Sequence, residues 1–178
     1  MRRHEPVRTG FTLIEILIVV LVVAILMGVV VSAFSGVDRE QKLRGYVERL
    51  VMRIEFARDK ALQANREWGI YVDDEGVSFA EFDEINDTWV RRSEKPFTRE
   101  SFATTLAFSV EIEQLPELPT QRDASNDPED RLPEILLFSS GETTPFKIRI
   151  EPRDWESQPW LVHSDGFTRA AMARDEDV

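Results

Sequence analysis

The feature that most constrains this chain is an apolar run over residues 11–31 that contains a single charged residue, Glu15. A helix of about 20 apolar residues is roughly 30 Å long, which matches the hydrocarbon core of a bilayer. An acid at the centre of a bilayer costs roughly 2.5–3.5 kcal/mol, so an acid in such a run usually has a function. The run therefore predicts a membrane-spanning helix with a functional carboxylate near its beginning.

A short basic segment precedes this run. Residues 1–10 carry three arginines and end at Gly10, which Phe11 follows. Basic residues keep their end of a membrane helix in the cytoplasm, so the rest of the chain is expected outside it. In an ordinary secretory signal the apolar stretch is about 7–15 residues long and precedes its cleavage site, which would here be residues 31–33. A simple uncleaved anchor has no use for Glu15.

The residues from Gly10 to Glu15, Gly-Phe-Thr-Leu-Ile-Glu, resemble the leader motif of type IV pilins and pseudopilins. In that family a prepilin peptidase cuts after the glycine. The resemblance implies cleavage between Gly10 and Phe11, N-methylation of Phe11, and retention of the apolar helix as membrane anchor and filament core. It also implies a role in filament assembly for Glu15, whose carboxylate would lie near the amine of Phe11.

Beyond the anchor the pattern becomes that of an amphipathic helix. Apolar residues recur at spacings of three and four: Leu43, Tyr46, Val47, Leu50, Ile54, Ala57 and Ala61. Charged residues fill the other face: Arg39, Lys42, Arg49, Arg53 and Asp59. We expect one continuous helix over residues 11–64 that stops at Asn65, with its basic residues facing a partner.

From Trp68 onward the apolar residues alternate with a period of two, which is typical of strands. The alternation predicts strands at residues 68–73, 77–83, 88–92, 105–112, 135–139, 146–150, 160–163 and 167–171, with hairpin turns at 73–76 and 164–166. A run of strands after one helix indicates an α+β fold. The expected architecture is type IV pilin-like, with a long N-terminal helix packed on antiparallel sheet.

The resulting organisation has five parts. They are a leader at 1–10, a transmembrane helix at 11–34, its amphipathic continuation at 35–66, a periplasmic sheet domain at 67–172 and a charged tail at 173–178. Within the sheet domain, residues 113–133 are acidic and proline-punctuated, which predicts a long flexible loop.

Several kinds of chemistry are disfavoured. The formal charge of −11 argues against nucleic acid as a partner, because phosphate binding needs a basic surface. The chain has no cysteine, and His163 is the only histidine outside the leader, so typical zinc sites and Cys-His pairs are excluded. The adjacent His163, Ser164 and Asp165 predict a turn and no catalytic triad. Acidic clusters at 73–75 and 123–129 are interpreted as solvated loops, with calcium as the alternative. We therefore expect no catalytic residue, metal or cofactor.

Two segments of the exported part, residues 58–65 and 133–146, resemble minor pseudopilin H of type II secretion systems. The resemblance implies a non-enzymatic structural subunit at the tip of a periplasmic pseudopilus, which helps to export folded proteins across the outer membrane. It implies a single-pass inner-membrane protein whose partners are the other minor pseudopilins, the major pseudopilin and the prepilin peptidase, with exoproteins as further candidates. The alternatives are a minor type IV pilin that primes pilus assembly and a membrane-anchored periplasmic enzyme or sensor.

Overall fold

The structure is a computed structural model that describes residues 13–102, 104–112 and 131–175, without the side chains of residues 28–38. One helix, α1 (Leu13–Ala64), is followed by eight strands. They are β1 (Trp68–Asp73), β2 (Gly76–Asp83), β3 (Thr88–Arg92), β4 (Leu106–Ile112), β5 (Ile135–Leu137), β6 (Phe146–Pro152), β7 (Trp160–Ser164) and β8 (Ala171–Arg174). The chain divides into two compact units, residues 1–43 and residues 44–178.

Helix α1 ends where the sequence predicts. Asn65 has a left-handed backbone with φ of 52°, and the next residue, Arg66, donates its backbone N–H to the carbonyl of Ala61 over 3.1 Å. A left-handed residue followed by such a bond is a common helix stop, because it satisfies a carbonyl that the last turn leaves open. The end of the long helix at Ala64 is therefore confirmed.

The strands of the second unit, residues 44–178, which we call the folded unit, form two antiparallel four-stranded sheets. One has the order β3-β2-β1-β5 and the other β4-β6-β7-β8. The first seven strands lie within about two residues of the predicted ranges. Strand β6 shows the expected alternation, since Phe146, Ile148 and Ile150 are buried between less buried neighbours. The α+β fold with antiparallel sheet is confirmed.

The helix covers the core of this unit. Its apolar face, formed by Tyr46, Val47, Leu50, Ile54, Ala57 and Ala61, is almost completely buried. The ring centre of Tyr46 lies 4.5 Å from that of Phe102 and 6.1 Å from that of Phe108, and both contacts are edge-to-face. Burying a large apolar side chain stabilises a fold by about 1.5–3 kcal/mol, so this face accounts for the attachment of the helix to its own sheets.

The prediction for the last strand was wrong. Strand β8 begins at Ala171, where it pairs with His163, and the residues from Phe167 to Ala170 form a loop. The reason lies in Asp165, whose Oδ1 accepts hydrogen bonds from the backbone N–H groups of Phe167 and Thr168 at 2.9 and 2.7 Å. This local turn removes Phe167 and Thr168 from strand pairing.

The tail was also predicted to begin too early. Residues 173 and 174, which the sequence assigned to a charged tail, lie in β8. The guanidinium of Arg174 stacks 3.9 Å from the ring centre of Trp160, and Asp175 accepts a hydrogen bond from Arg149 over 2.5 Å. Cation–π and ion-pair contacts thus hold a segment whose charge suggested fraying. Residues 176–178 lie outside the described part.

The predicted flexible loop at 113–133 has an ordered end. Residues 113–130 lie outside the described part, whereas Pro133 is buried against β1. A Cβ at Gly69 would lie only 2.4 Å from Cγ of Pro133, so this contact requires glycine. Glu134 accepts the backbone N–H of Val72 over 3.0 Å. Arg131 also pairs with Glu134, so residues 131–133 belong to the folded domain and the prediction of a flexible loop was wrong for them.

Candidate assembly site

The first turns of α1 expose the apolar residues that the sequence assigned to a membrane helix. Between Leu13 and Met27 the exposed fractions of the large apolar side chains run from 43% at Val23 to 84% at Leu13. Glu15 lies in the first turn and is the one charged residue of this stretch. Negative charge is favoured there by the helix dipole. The stretch thus presents an apolar surface with one carboxylate at its beginning.

Other parts of the predicted membrane segment cannot be placed. Gly10 and Phe11, the predicted cleavage and methylation residues, lie outside the described residues, as do the side chains of residues 28–38. Among the residues that the structure describes, no helix carries an apolar stretch long enough to cross a membrane.

The basic face predicted for the second half of the helix is exposed at Arg39, Lys42 and Arg49 but not at Arg53. Arg53 is only 6% exposed, and its Nη1 donates to the carbonyl of Thr98 over 3.1 Å. Its Nη2 lies 3.6 Å from Glu100, which also accepts a 3.1 Å hydrogen bond from Arg49. The prediction that Arg49 and Arg53 face a partner was wrong for Arg53, because the segment after β3 folds back over the helix and covers it.

Arg58 joins the helix to two loops at once. Its Nε donates to the carbonyl of Gly141 over 2.5 Å, and its Nη2 and Nη1 donate to the carbonyls of Phe167 and Thr168, each over 2.7 Å. One turn earlier, Glu55 accepts the backbone N–H of Ala170 over 2.8 Å. Charged groups form stronger hydrogen bonds than neutral ones, so these contacts fix both loops relative to the helix.

The two segments that carried the resemblance therefore meet in space. Residues 58–65 supply Arg58, and residues 133–146 supply the Gly141 carbonyl that it binds. Gly141 has φ of 88°, a conformation that glycine adopts readily and that directs this turn toward the helix. The sequence pointed to both segments but did not predict their contact, because periodicity does not reveal which loop carbonyl an arginine binds.

Comparison with known proteins identifies this architecture. The family described as "Prokaryotic N-terminal methylation motif" matches residues 7–31. The chain is 28% identical to type II secretion system protein H of Pseudomonas aeruginosa, over 93% of this chain and 96% of that protein. It is 25% identical to the protein of the same name from Aeromonas hydrophila, over 99% and 98%. Over nearly its whole length the chain is thus similar to protein H of type II secretion systems.

The fold of the chain is also similar to that of a solved protein. The structure of the minor pseudopilin EpsH from the type II secretion system of Vibrio cholerae superposes with a TM-score of 0.52. The match covers 71% of this chain and 90% of EpsH at 17% sequence identity, so it supports the fold. The α+β layout with an N-terminal helix on antiparallel sheets is thus shared with a solved pseudopilin.

Of the two acidic clusters in the sequence, the structure describes the one at residues 73–75. At residues 73–75, Asp73 and Glu75 both pair with Arg99, and Asp74 lies 3.6 Å from Arg153. Each of these carboxylates therefore has an arginine partner. In the part of the chain that the structure describes, no group of three or more acidic, histidine or cysteine side chains could hold a metal ion. The cluster at 123–129 lies outside the described residues.

The turn predicted at His163, Ser164 and Asp165 begins only at Asp165, because His163 and Ser164 are the last residues of β7. The Ser164 hydroxyl accepts the N–H of Gly166 over 3.1 Å and donates to the carbonyl of Thr168 over 3.2 Å. Hydrogen bonds from the backbone N–H groups of Thr168 and Phe167 hold the pKa of the Asp165 carboxyl below its usual value. The side chains of Ser164 and Asp165 thus both hold the β7–β8 loop in place.

Proposed function

We propose that this chain is a minor pseudopilin of a type II secretion system and works by assembly, without catalysis. In this proposal it joins the tip of a periplasmic pseudopilus and helps to export folded proteins across the outer membrane. Its curated relatives are named as protein H of that system and cover nearly the whole chain. Its partners are the other minor pseudopilins and the major pseudopilin, and exoproteins are transient contacts.

The observation that carries the proposal is the contrast within one helix. Residues 13–27 expose their apolar side chains, while the same helix ends in a buried face against its own sheets. A stripe of exposed apolar side chains this long marks a surface that another phase or another protein covers. A leader motif at residues 7–31 precedes a self-contained α+β unit, which is the order that an anchored filament subunit needs.

Maturation in this proposal follows the leader motif. The prepilin peptidase cleaves between Gly10 and Phe11, the new N-terminal Phe11 is methylated, and residues 11–34 remain as an inner-membrane anchor and filament core. Residues 35–66 carry the helix outward and residues 67–174 form the periplasmic domain. Three arginines in the leader keep the N-terminus in the cytoplasm.

Glu15 is the assembly residue of the proposal. An acid in apolar surroundings needs a partner of opposite charge, and the nearest new charge after cleavage is the amine of Phe11, its own or that of a neighbouring subunit. Two unit charges about 4 Å apart interact with roughly 4 kcal/mol at an effective dielectric of 20. Such a pair would offset much of the desolvation cost and fix the position of the subunit along the filament.

The decisive experiment is deletion of the gene in its own host, followed by complementation. Exoproteins should accumulate in the periplasm of the deletion strain, and the wild-type chain should restore their export. Mass spectrometry of the membrane-extracted protein should find an N-terminal methyl-Phe11 peptide, and Gly10→Val should leave the uncut precursor. Intact secretion combined with loss of pili or twitching would instead assign the chain to a type IV pilus. A mature chain that begins at Phe34 would show an ordinary secretory signal.

A further inference from the structure

Two turns of the folded unit expose an apolar side chain at equivalent places. In the β2–β3 turn, Asp83 accepts the backbone N–H of Ile85, which is 92% exposed. In the β7–β8 loop, Asp165 accepts the backbone N–H of Phe167, which is 72% exposed. The two positions share the same local motif, so any difference in how firmly each turn is held must come from contacts with the rest of the fold.

The β7–β8 loop is held far more firmly than the β2–β3 turn. Besides the Asp165 bonds, the Ser164 hydroxyl binds both sides of the loop, and the carbonyl of Gly166 accepts the N–H of Thr143 over 2.8 Å. Arg58 from the helix then fixes the carbonyls of Phe167 and Thr168. Asp83 instead accepts hydrogen bonds from Ile85 and Asn86 within its own turn.

The loop backbone also demands its special conformation. Gly166 has φ of 94°, and a Cβ at this residue would lie 2.7 Å from the carbonyl oxygen of Thr143. The glycine therefore brings the loop close to the β5–β6 connection and directs the next residue outward. An aromatic side chain on a loop whose backbone is already fixed has only its own side-chain torsions left to order on binding, which makes it an effective interface anchor.

We propose that Phe167 is a preformed hydrophobic anchor that inserts into an apolar pocket on another pseudopilin subunit. This inference rests on the proposed function and names the contact residue for it. A rigid anchor suits a single fixed neighbour, whereas surfaces that bind many cargo proteins are flexible and adaptable. A fixed filament neighbour is therefore a better occupant than a passing exoprotein.

The charge beside the anchor specifies the rim of that pocket. Arg169 follows two residues after Phe167, and its side chain is 85% exposed and lies 3.7 Å from Glu55. Glu55 is also engaged by the backbone N–H of Ala170, so it is shared between two donors. The guanidinium can thus meet a carboxylate on the partner. The pocket is expected to be apolar at its centre with an acidic residue at its rim, and opposite charges there would set register and association rate.

The test uses the full chain in its own host with the complete secretion system. A photo-crosslinking amino acid replaces Phe167 in one strain and Ile85 in a matched control strain. Position 167 should crosslink to a pseudopilin that mass spectrometry identifies, and position 85 should not. Equal crosslinking at both positions, crosslinking of 167 to exoprotein alone, or crosslinking to a second copy of this chain would overturn the proposal.

Substitutions then measure the contribution of the anchor. Phe167→Ala should lower co-purification of that subunit at least tenfold, Phe167→Leu should restore most of it, and Ile85→Ala should leave it unchanged. Arg169→Gln should weaken binding less and should reduce its dependence on salt concentration. Because Phe167 is exposed, all variants should keep the protease resistance of the wild-type domain.

The outcomes separate this inference from the proposed function. Unchanged co-purification by Phe167→Ala overturns the anchor, while loss of export in the gene deletion still supports the secretion function. If the wild-type chain co-purifies with no pseudopilin and its deletion leaves export intact, the proposed function itself fails. An unfolded Phe167→Ala variant would show that the side chain serves the fold, which also overturns the anchor.

Discussion

Two stretches of helix α1 contain similar apolar residues and differ completely in burial. Leu21 lies in the first stretch and is 56% exposed, whereas Leu50 lies in the second and is fully buried. Periodicity explains the difference only in part. Residues 13–27 are apolar all round, and the buried residues from 46 to 61 repeat every three or four positions. The first pattern needs an apolar environment from outside, and the second needs one face of a sheet.

The largest effect is expected from a change at Glu15, the only charged residue between Leu13 and Met27. Glu15→Val should make that stretch uniformly apolar, so the chain should be processed and inserted but fail to join the filament, and export should be lost. Co-purification with other pseudopilins and exoprotein export are the measurements. Glu84→Val, a loss of one carboxylate on the folded unit, is the matched control and should export normally.

Normal export and normal co-purification by Glu15→Val would remove the pairing with the amine of Phe11. Retention of uncut precursor by this variant would place the role of Glu15 in recognition by the peptidase.

A matched pair of truncations tests the burial difference directly. Leu50→Ala removes a fully buried side chain and should destabilise the folded unit by about 2–5 kcal/mol, which lowers Tm by roughly 6–20 °C. Leu21→Ala makes the same chemical change at an exposed site and should leave Tm unchanged. Thermal unfolding of the detergent-solubilised chain, followed by tryptophan fluorescence, is the measurement. Equal shifts for both variants would show that residues 13–27 belong to the same cooperative unit.

The sequence could predict those parts of the folded unit that depend on repeating patterns. The helix end at Asn65 and the first seven strands follow from periodicity and turn residues, which act over a few neighbours, whereas the position of β8 did not. The sequence could not predict the position of Arg53, because its partner Thr98 lies 45 residues away in a segment without regular structure. Likewise, Arg58 binds carbonyls 83 to 110 residues distant, and no local pattern encodes those contacts.

A buried and an exposed charged residue of the same helix can be compared at Arg53 and Arg49. Arg53→Met should destabilise the fold by about 3 kcal/mol, because it leaves Glu100 and the Thr98 carbonyl without a buried partner. Arg49→Met removes an exposed pair with Glu100 and should cost less than about 1 kcal/mol. Chemical denaturation of the two variants separates them. If both variants lost the same free energy of unfolding, the buried contacts of Arg53 would contribute no more than the exposed ion pair of Arg49.

High pH probes the same region through Tyr46. Burial raises the pKa of Tyr46 to about 12, although the neighbouring Arg53 opposes this shift. The folded pKa lies above the ordinary value near 10, so the contribution to stability is complete below pH 10 and is lost as pH rises toward 12. The loss amounts to about 3 kcal/mol for a shift of this size.

Denaturation at several alkaline pH values measures this loss, and phenolate absorbance reports the titration. Tyr46→Phe should remove the part of the pH dependence that Tyr46 causes. The other tyrosine, Tyr71, also has a raised pKa because of burial, with Arg91 opposing it. Phenolate absorbance that rises fully near pH 10 in the folded chain would contradict the burial of both rings.

The smallest effect is expected in the acidic segment before β5. Residues 121–130 are polar and proline-broken, and ordering them would cost roughly 1–2 kcal/mol per residue for the backbone alone, with few apolar groups to offset it. Replacing them with a short Gly-Ser linker should therefore change stability by no more than about 0.5 kcal/mol.

The boundary at Arg131 supplies the control for that replacement. Pro133→Ala truncates a buried side chain against Gly69 and should cost about 1 kcal/mol, although it lies only three residues beyond the replaced segment. Thermal unfolding compares the two variants. A linker variant that loses many degrees would show that residues 121–130 pack into the folded unit. If stability is kept and exoprotein export falls, the segment acts as a contact in the assembled filament, and if both are kept it is a tolerated insertion.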